Sequence, residues 1–194
     1  MQNFIIKLFE FFTSSDIKDF EVIKPEIVEP KEVMEKYRLA NTKELFNIYG
    51  IPTEKPKFLE TIDLPYPMRL NWDKKILVNK MRCHRLVASD FENIFHEIEN
   101  HYGYDEIRRL GIDLFGGCFN FRKMRGGSDL SRHSWAIAID LDTERNGLRT
   151  PFNKSNFSKP EYNKLHEIFE KYGFLNLGKE KNFDSMHWEK GIKL

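Results

Sequence analysis

From Trp135 to Leu141 the side chains alternate in size, with Trp135, Ile137, Ile139 and Leu141 on one parity and Ala136, Ala138 and Asp140 on the other. A period of two is the signature of a strand, so the bulky set is expected to enter a core while the two alanines leave space in front of Asp140. His133 lies seven positions before Asp140, and an odd separation along a regular strand would send the two side chains to opposite faces. His133 is therefore expected on the loop or bend that enters the strand. The polar, glycine-bearing run Arg125-Gly126-Gly127-Ser128-Asp129 just upstream suits such a loop.

Near the C-terminus, Asp184-Ser185-Met186-His187 answers this run. His133, Asp140 and His187 supply two imidazoles and a carboxylate, a ligand set that leaves the fourth position of a tetrahedral Zn2+ open. Asp184 and His187 are also an odd number apart, which places the aspartate in a turn and the histidine in a short final strand, Met186 to Glu189. The offset provides a carboxylate beside the metal but not bound to it, where it can take a proton from water. The remaining histidines lack such company. His96 and His101, five apart, split around a helix; His166 is expected on the exposed face of one; His84, beside Cys83, is expected to make a structural hydrogen bond. Asp142 and Glu189 fit no ligand position and are expected behind the ligands or at the surface.

In order and spacing these residues resemble the zinc D-alanyl-D-alanine carboxypeptidases and L-alanyl-D-glutamate endopeptidases of bacterial cell walls, in the branch found in many phage endolysins. The family pattern is an Arg, then S-x-H-x6-D, then D-x-x-H or E-x-x-H, which falls here on Arg122, Ser131, His133, Asp140, Asp184 and His187. Likeness continues through Gly116–Arg122 and Ile139–Asp142 and covers roughly Pro65 to Lys190. The resemblance implies a hedgehog-type zinc peptidase fold with Zn2+ on His133, Asp140 and His187. It also implies Asp184 as the proton carrier, Arg122 engaging the scissile carbonyl oxygen, and Ser131 lining the same site. The implied substrates are peptidoglycan stem peptides, cut at D-Ala-D-Ala or at L-Ala-D-Glu. One departure is visible: the family usually has glycine where this chain has Ala136, whose methyl group is expected to narrow the cleft. Two other readings stay open, a non-catalytic zinc-binding protein of the same fold that recognises a peptide, and a structural component of a virion.

A formal net charge of +1 over 194 residues gives a nucleic-acid partner no general electrostatic support. No apolar run approaches the roughly 18 residues of a membrane span. Lys7 and Glu10 interrupt the apolar N-terminus and no small-residue cleavage site follows, so no secretory signal is expected. Such a chain would be made in the cytoplasm and, if an endolysin, act on the cell wall after release. Cys83 and Cys118 have no C-x-x-C partners and are expected as buried thiols, a disulfide being the alternative.

Organisation is expected to change near residue 60. Residues 1–60 read as a helical arm on linkers, with helices at Asn3–Phe12, Lys31–Arg38 and Lys43–Tyr49, the last opened by Asn41 or Thr42 and closed by Gly50. Residues 61–194 read as the catalytic domain. Strands are expected at Met68–Trp72, Ile76–Arg82 and Phe115–Phe121. Ser89 or Asp90 is expected to cap a helix ending at Gly103, and a second helix should run from Pro160 to Gly173. Strands and helices mix without regular alternation, which argues for an α+β fold with a largely antiparallel sheet and flanking helices.

Overall fold

The computed structural model describes residues 35–194, which belong to one compact unit. The helix expected at Asn3–Phe12 and the start of Lys31–Arg38 lie outside the described residues. Where the latter enters them, Tyr37–Arg38 (β1) is extended rather than helical and pairs antiparallel with Ile192–Lys193. Thr42–Tyr49 (α1) is the helix expected at Lys43–Tyr49. Asn41 Oδ1 accepts from Glu44 N at 3.0 Å while Glu44 Oε2 accepts from Asn41 N at 2.9 Å, a reciprocal cap that satisfies two orphan donors. Gly50 ends the helix at φ 78°.

Residue 60, where the change of organisation was expected, falls inside this compact unit. Leu45 and Tyr49 of α1 are buried, Phe46 packs edge-on against Trp135 at 5.4 Å, and Trp135 Nε1 donates to Gly50 O at 2.7 Å. The prolines of this segment suggest a linker, but a few anchored positions hold it against Trp135.

Leu59–Leu70 (β2) and Asp73–His84 (β3) form an antiparallel hairpin far longer than the strands expected at Met68–Trp72 and Ile76–Arg82. Ile62, Leu64, Tyr66 and Met68 are buried at every second residue. Pairing breaks between Asp63 and Met68, where Pro65 and Pro67 have no N–H to give the ladder. After a short 3-10 turn, Ala88–Leu110 (α2) packs Phe91, Ile94, Phe95 and Ile98 inward. Val87 precedes it without a side-chain cap, so neither Ser89 nor Asp90 caps it; both lie in the helix itself. Gly103 breaks the helix as expected, at φ 69° and ψ 158°, but helical turns resume and run on to Leu110.

Leu114–Gly117 (β4) is shorter than the expected Phe115–Phe121 and pairs parallel with β2. Ala138–Leu141 (β5) follows, then Asn163–Lys171 (α3) behind a 3-10 turn at Pro160–Tyr162. Phe174–Asn176 (β6), Leu177–Lys181 (α4), His187–Lys190 (β7) and Ile192–Lys193 (β8) complete the chain. The main sheet runs β3-β2-β4-β5-β7-β6, with β2–β4 as its one parallel pair. An α+β fold with a largely antiparallel sheet and flanking helices is thus present.

His166 corrects another expectation. It is buried rather than exposed, and its Nε2 meets Phe157 O at 2.8 Å, a carbonyl that gives the imidazole a partner inside the packing of α3. His84 does make structural contacts: Nδ1 accepts from Leu86 N at 3.1 Å and the ring stacks on Phe58. Cys83 and Cys118 are buried and free. Among the described residues no helix is long and apolar enough to cross a membrane.

Candidate metal centre

The strand expected from Trp135 starts only at Ala138. Arg132–Trp135 is a 3-10 turn, and Ala136 closes it at φ 55° and ψ 37°. Trp135, Ile137, Ile139 and Leu141 are all buried, as their parity suggests. Ala136 and Ala138 are buried as well, so the methyl of Ala136 is not part of the cleft wall. What a glycine would supply at this position is therefore backbone freedom, since a residue with a Cβ pays a conformational cost in the left-handed region. The turn also resolves the odd spacing of His133 and Asp140, by bringing the imidazole round to the carboxylate's side.

β5 pairs antiparallel with both β4 and β7, and in the second pairing Asp140 stands directly opposite His187. Gly116 allows β4 to approach from the other side: a Cβ there would lie 2.8 Å from Asp140 Cβ and 2.6 Å from Thr143 Cγ2. Asp184 occupies the turn before β7 with φ 58°, and its carbonyl accepts from His187 N at 3.0 Å.

His133, Asp140 and His187 converge. His133 Nε2 is 3.2 Å from Asp140 Oδ1 and 3.1 Å from His187 Nδ1, and His187 Nδ1 is 2.9 Å from Asp140 Oδ1. The outer ring nitrogens identify what this triangle is for. His133 Nδ1 meets Cys118 O at 2.7 Å and His187 Nε2 meets Glu189 Oε2 at 3.1 Å. A carbonyl and a carboxylate only accept, so each outer nitrogen carries a proton, and the inner nitrogens are the ones left to offer a lone pair to a metal. Three lone pairs then face one point, an arrangement that only a cation or a proton stabilises. Tetrahedral zinc with bonds of about 2.0–2.1 Å puts neighbouring donor atoms about 3.3–3.4 Å apart, so the three residues fit that ion with a small expansion. All three side chains are buried, and together they form a group able to hold a metal ion.

Without a metal, a proton takes that place. Burial alone would depress the His187 imidazole, but hydrogen bonds to the Asp140 and Glu189 carboxylates outweigh it and hold the group at about 10. Burial opposes ionisation of Asp140 too, yet the two imidazoles keep its carboxyl well below the usual carboxylate range. Glu189 is likewise lowered against its burial, by His187 and Arg132. Asp184 behaves oppositely. Burial raises its pKa, and its Oδ1 is buried with no hydrogen-bond partner.

A cleft of about 630 Å³ opens over the triangle. Asp184, Arg122 and Ser131 line it together with His133, Asp140 and His187, so all six residues assigned to the site from the sequence line one cleft. The loop carrying Arg122 is pinned at its base: Ser131 N donates to Arg122 O at 2.9 Å, and Arg122 N donates to Ser134 Oγ at 3.1 Å. The Arg122 guanidinium donates to Lys123 O at 3.1 Å. Glu189 resolves to a buried partner of His187, a role its two-residue spacing on one strand face signals. Cys118 contributes through its carbonyl and Arg38–Asn41 by lining the cleft, and no sequence signal marks either role. Asp142 is also buried, but it is bound to Arg145 and Asn146 rather than to a ligand.

A family model described as D-alanyl-D-alanine carboxypeptidase matches residues 125–190. That span contains Ser131, His133, Asp140, Asp184 and His187; Arg122 precedes it. No curated protein and no solved structure matches the chain.

Proposed function

We propose that the chain is a zinc-dependent peptidase that hydrolyses stem peptides of bacterial peptidoglycan. The observation that carries this reading is the convergence of His133 Nε2, His187 Nδ1 and Asp140 Oδ1 at 2.9–3.2 Å, with both outer imidazole nitrogens already committed as donors. The match over residues 125–190 supports the peptidase class and its cell-wall substrate. Zn2+ at this point would supply Lewis acidity and lower the pKa of a water to about 7.

Every other part of the reaction belongs to side chains. His133, Asp140 and His187 would hold the ion at the base of the cleft that they line. Asp184, outside the ligand set, takes the proton from the attacking water on its unpartnered Oδ1 and passes it to the leaving amine. Its raised pKa suits that work, because a carboxylate nearer to neutrality is the stronger base. Arg122 reaches over the same cleft and donates to the carbonyl oxygen as it gains charge, an interaction worth about 3–4 kcal/mol where single donors have been removed. Ser131 lines the floor beside His133 and contacts substrate.

The matched family description favours release of a terminal D-alanine, with L-Ala-D-Glu endopeptidase action, and a lytic role of the endolysin kind, as the other outcome of the same site. Purified zinc-loaded protein incubated with defined muropeptides, with products read by mass spectrometry, decides between them. Intact muropeptides with full zinc occupancy would leave a binding protein and refute the proposal.

A further inference from the structure

Arg132 sits beside a ligand yet points away from the triangle. Its Nε lies 3.4 Å from Glu189 Oε1, and its NH2 donates to Ala40 O at 2.8 Å. Glu189 turns its second oxygen to His187 Nε2 at 3.1 Å, so a continuous path runs from the Ala40 carbonyl through Arg132 and Glu189 to a metal ligand. The third guanidinium nitrogen, NH1, is buried without a partner. A buried ion pair is weak support for stability, and an orphaned donor subtracts from it. The arrangement is better explained by what it orients than by what it stabilises.

Geometry sharpens the point. Glu189 is buried and stands across from Ala138 on the strand pair that also sets Asp140 opposite His187. A lone carboxylate on that face could rotate away from the imidazole. With Oε1 held by Arg132, only Oε2 remains for His187, and the ring is fixed with Nδ1 toward Asp140. The planar fork of arginine suits the double task, because Nε and NH2 diverge at a fixed angle toward the carboxylate and the Ala40 carbonyl; lysine has no such fork.

We propose that Arg132 is a positioning residue for the metal centre: braced by the Ala40 carbonyl, it fixes the Glu189 carboxylate that orients His187. The inference rests on the metal reading above and extends it to the wall formed by Arg38–Asn41. Through Arg132, the turn that delivers the ligand His133 also cross-braces the ligand His187.

The test is metal affinity by competition with a chromophoric chelator, using Zn2+, together with the absorption spectrum of the Co2+ form, on full-length protein and the variants R132M, R132K and E189Q. Partners that orient metal-bound histidines are worth about 10- to 100-fold in affinity, so R132M and E189Q should each weaken binding by that factor and alter the Co2+ bands. R132K should fall between R132M and the parent. The double variant R132M/E189Q should lose no more than the weaker-binding single variant, because both lie on one path. Losses that multiply in the double variant, or R132M binding within about twofold of the parent with an unchanged Co2+ spectrum, overturn the proposal. If R132M does not fold, R132K with parental affinity and spectrum overturns it equally. Failure of the parent itself to bind Zn2+ would instead overturn the metal reading, so the two failures are distinct.

Discussion

The cleft has two walls, built by different means. One consists of His133, Asp140, His187 and Asp184, and most of what it offers is a side-chain atom. The other is Arg38–Asn41 with the helix α1 behind it; besides the buried Leu45 and Tyr49, it holds to the rest of the protein through two backbone oxygens, Ala40 O on Arg132 and Gly50 O on Trp135. Side-chain chemistry can be read from residue identity. A carbonyl is the same in every residue, so these two contacts are invisible to any reading of composition or spacing, although helix α1 itself is legible from its cap and from Gly50.

If that contrast is right, substitutions on the first wall should change chemistry and leave the fold, whereas those on the second should change stability first. The largest effect is expected for His133→Ala, Asp140→Ala and His187→Ala. Each should empty the metal site by elemental analysis and cost several kcal/mol of transition-state stabilisation, about 1000-fold in muropeptide turnover. Full zinc occupancy in all three would remove the assignment. Asp184→Ala should keep its zinc and lose about 100-fold or more in turnover, the scale of a positioned base. Loss of zinc along with activity would make Asp184 a ligand.

Across the cleft, Leu45→Ala should lower unfolding free energy in urea by about 2–5 kcal/mol while the folded fraction retains zinc. A chain beginning at Thr61 lacks Leu45, Tyr49 and the Gly50 carbonyl altogether, and is expected to lose the fold rather than merely an appendage. An active, stable Leu45→Ala variant with parental unfolding would return this segment to the status of a linker.

A subtler difference concerns protons. His187 in the metal-free protein is held above its ordinary value, at about 10, so it is protonated at neutral pH. Its contribution to metal-free stability is complete below about 6.5 and is lost as pH rises through about 10. Zn2+ replaces that proton, so apparent zinc affinity should rise by about tenfold per pH unit between 7 and 9, with release of about one proton at pH 7 measurable by calorimetry in buffers of different ionisation enthalpy. A flat profile would show that the triangle is not protonated without metal. The smallest effect belongs to Ala136→Gly. Relief of the left-handed backbone is offset by the lost methyl and the freer unfolded chain, leaving a stabilisation below about 1 kcal/mol. A changed KM in this variant would restore the idea that the methyl narrows the cleft.

The convergence of His133, Asp140 and His187 was legible because its pattern is carried by residue types that few other roles explain, taken in company. The α+β class followed from mixed periodicities. What escaped was the detail that tertiary packing decides. The strand at Trp135–Leu141 gave way to a turn at its start, because a residue at φ 55° cannot extend a strand. The hairpin β2–β3 outran its apolar signal, since β3 is largely exposed and its pairing partner, not its own pattern, holds it extended. His166 looked exposed on a helix wheel, but a carbonyl on a neighbouring turn was waiting for it.

Asp140 and His187 are directly opposed across two paired strands, yet they are 47 positions apart along the chain. The triangle therefore cannot be assembled by local structure; it depends on the pairing of β7 with β5, which lie on either side of the excursion through α3. A cation that binds only the closed form acts as a late-stage ratchet, since it rewards the finished topology and nothing before it. At a free-ion concentration 1000 times the dissociation constant the reward is about 4 kcal/mol, a large share of the stability of a domain this size. Metal supply would then govern how long the finished chain survives proteolysis as much as how fast it works, and chelation would shorten its lifetime even where no substrate is present.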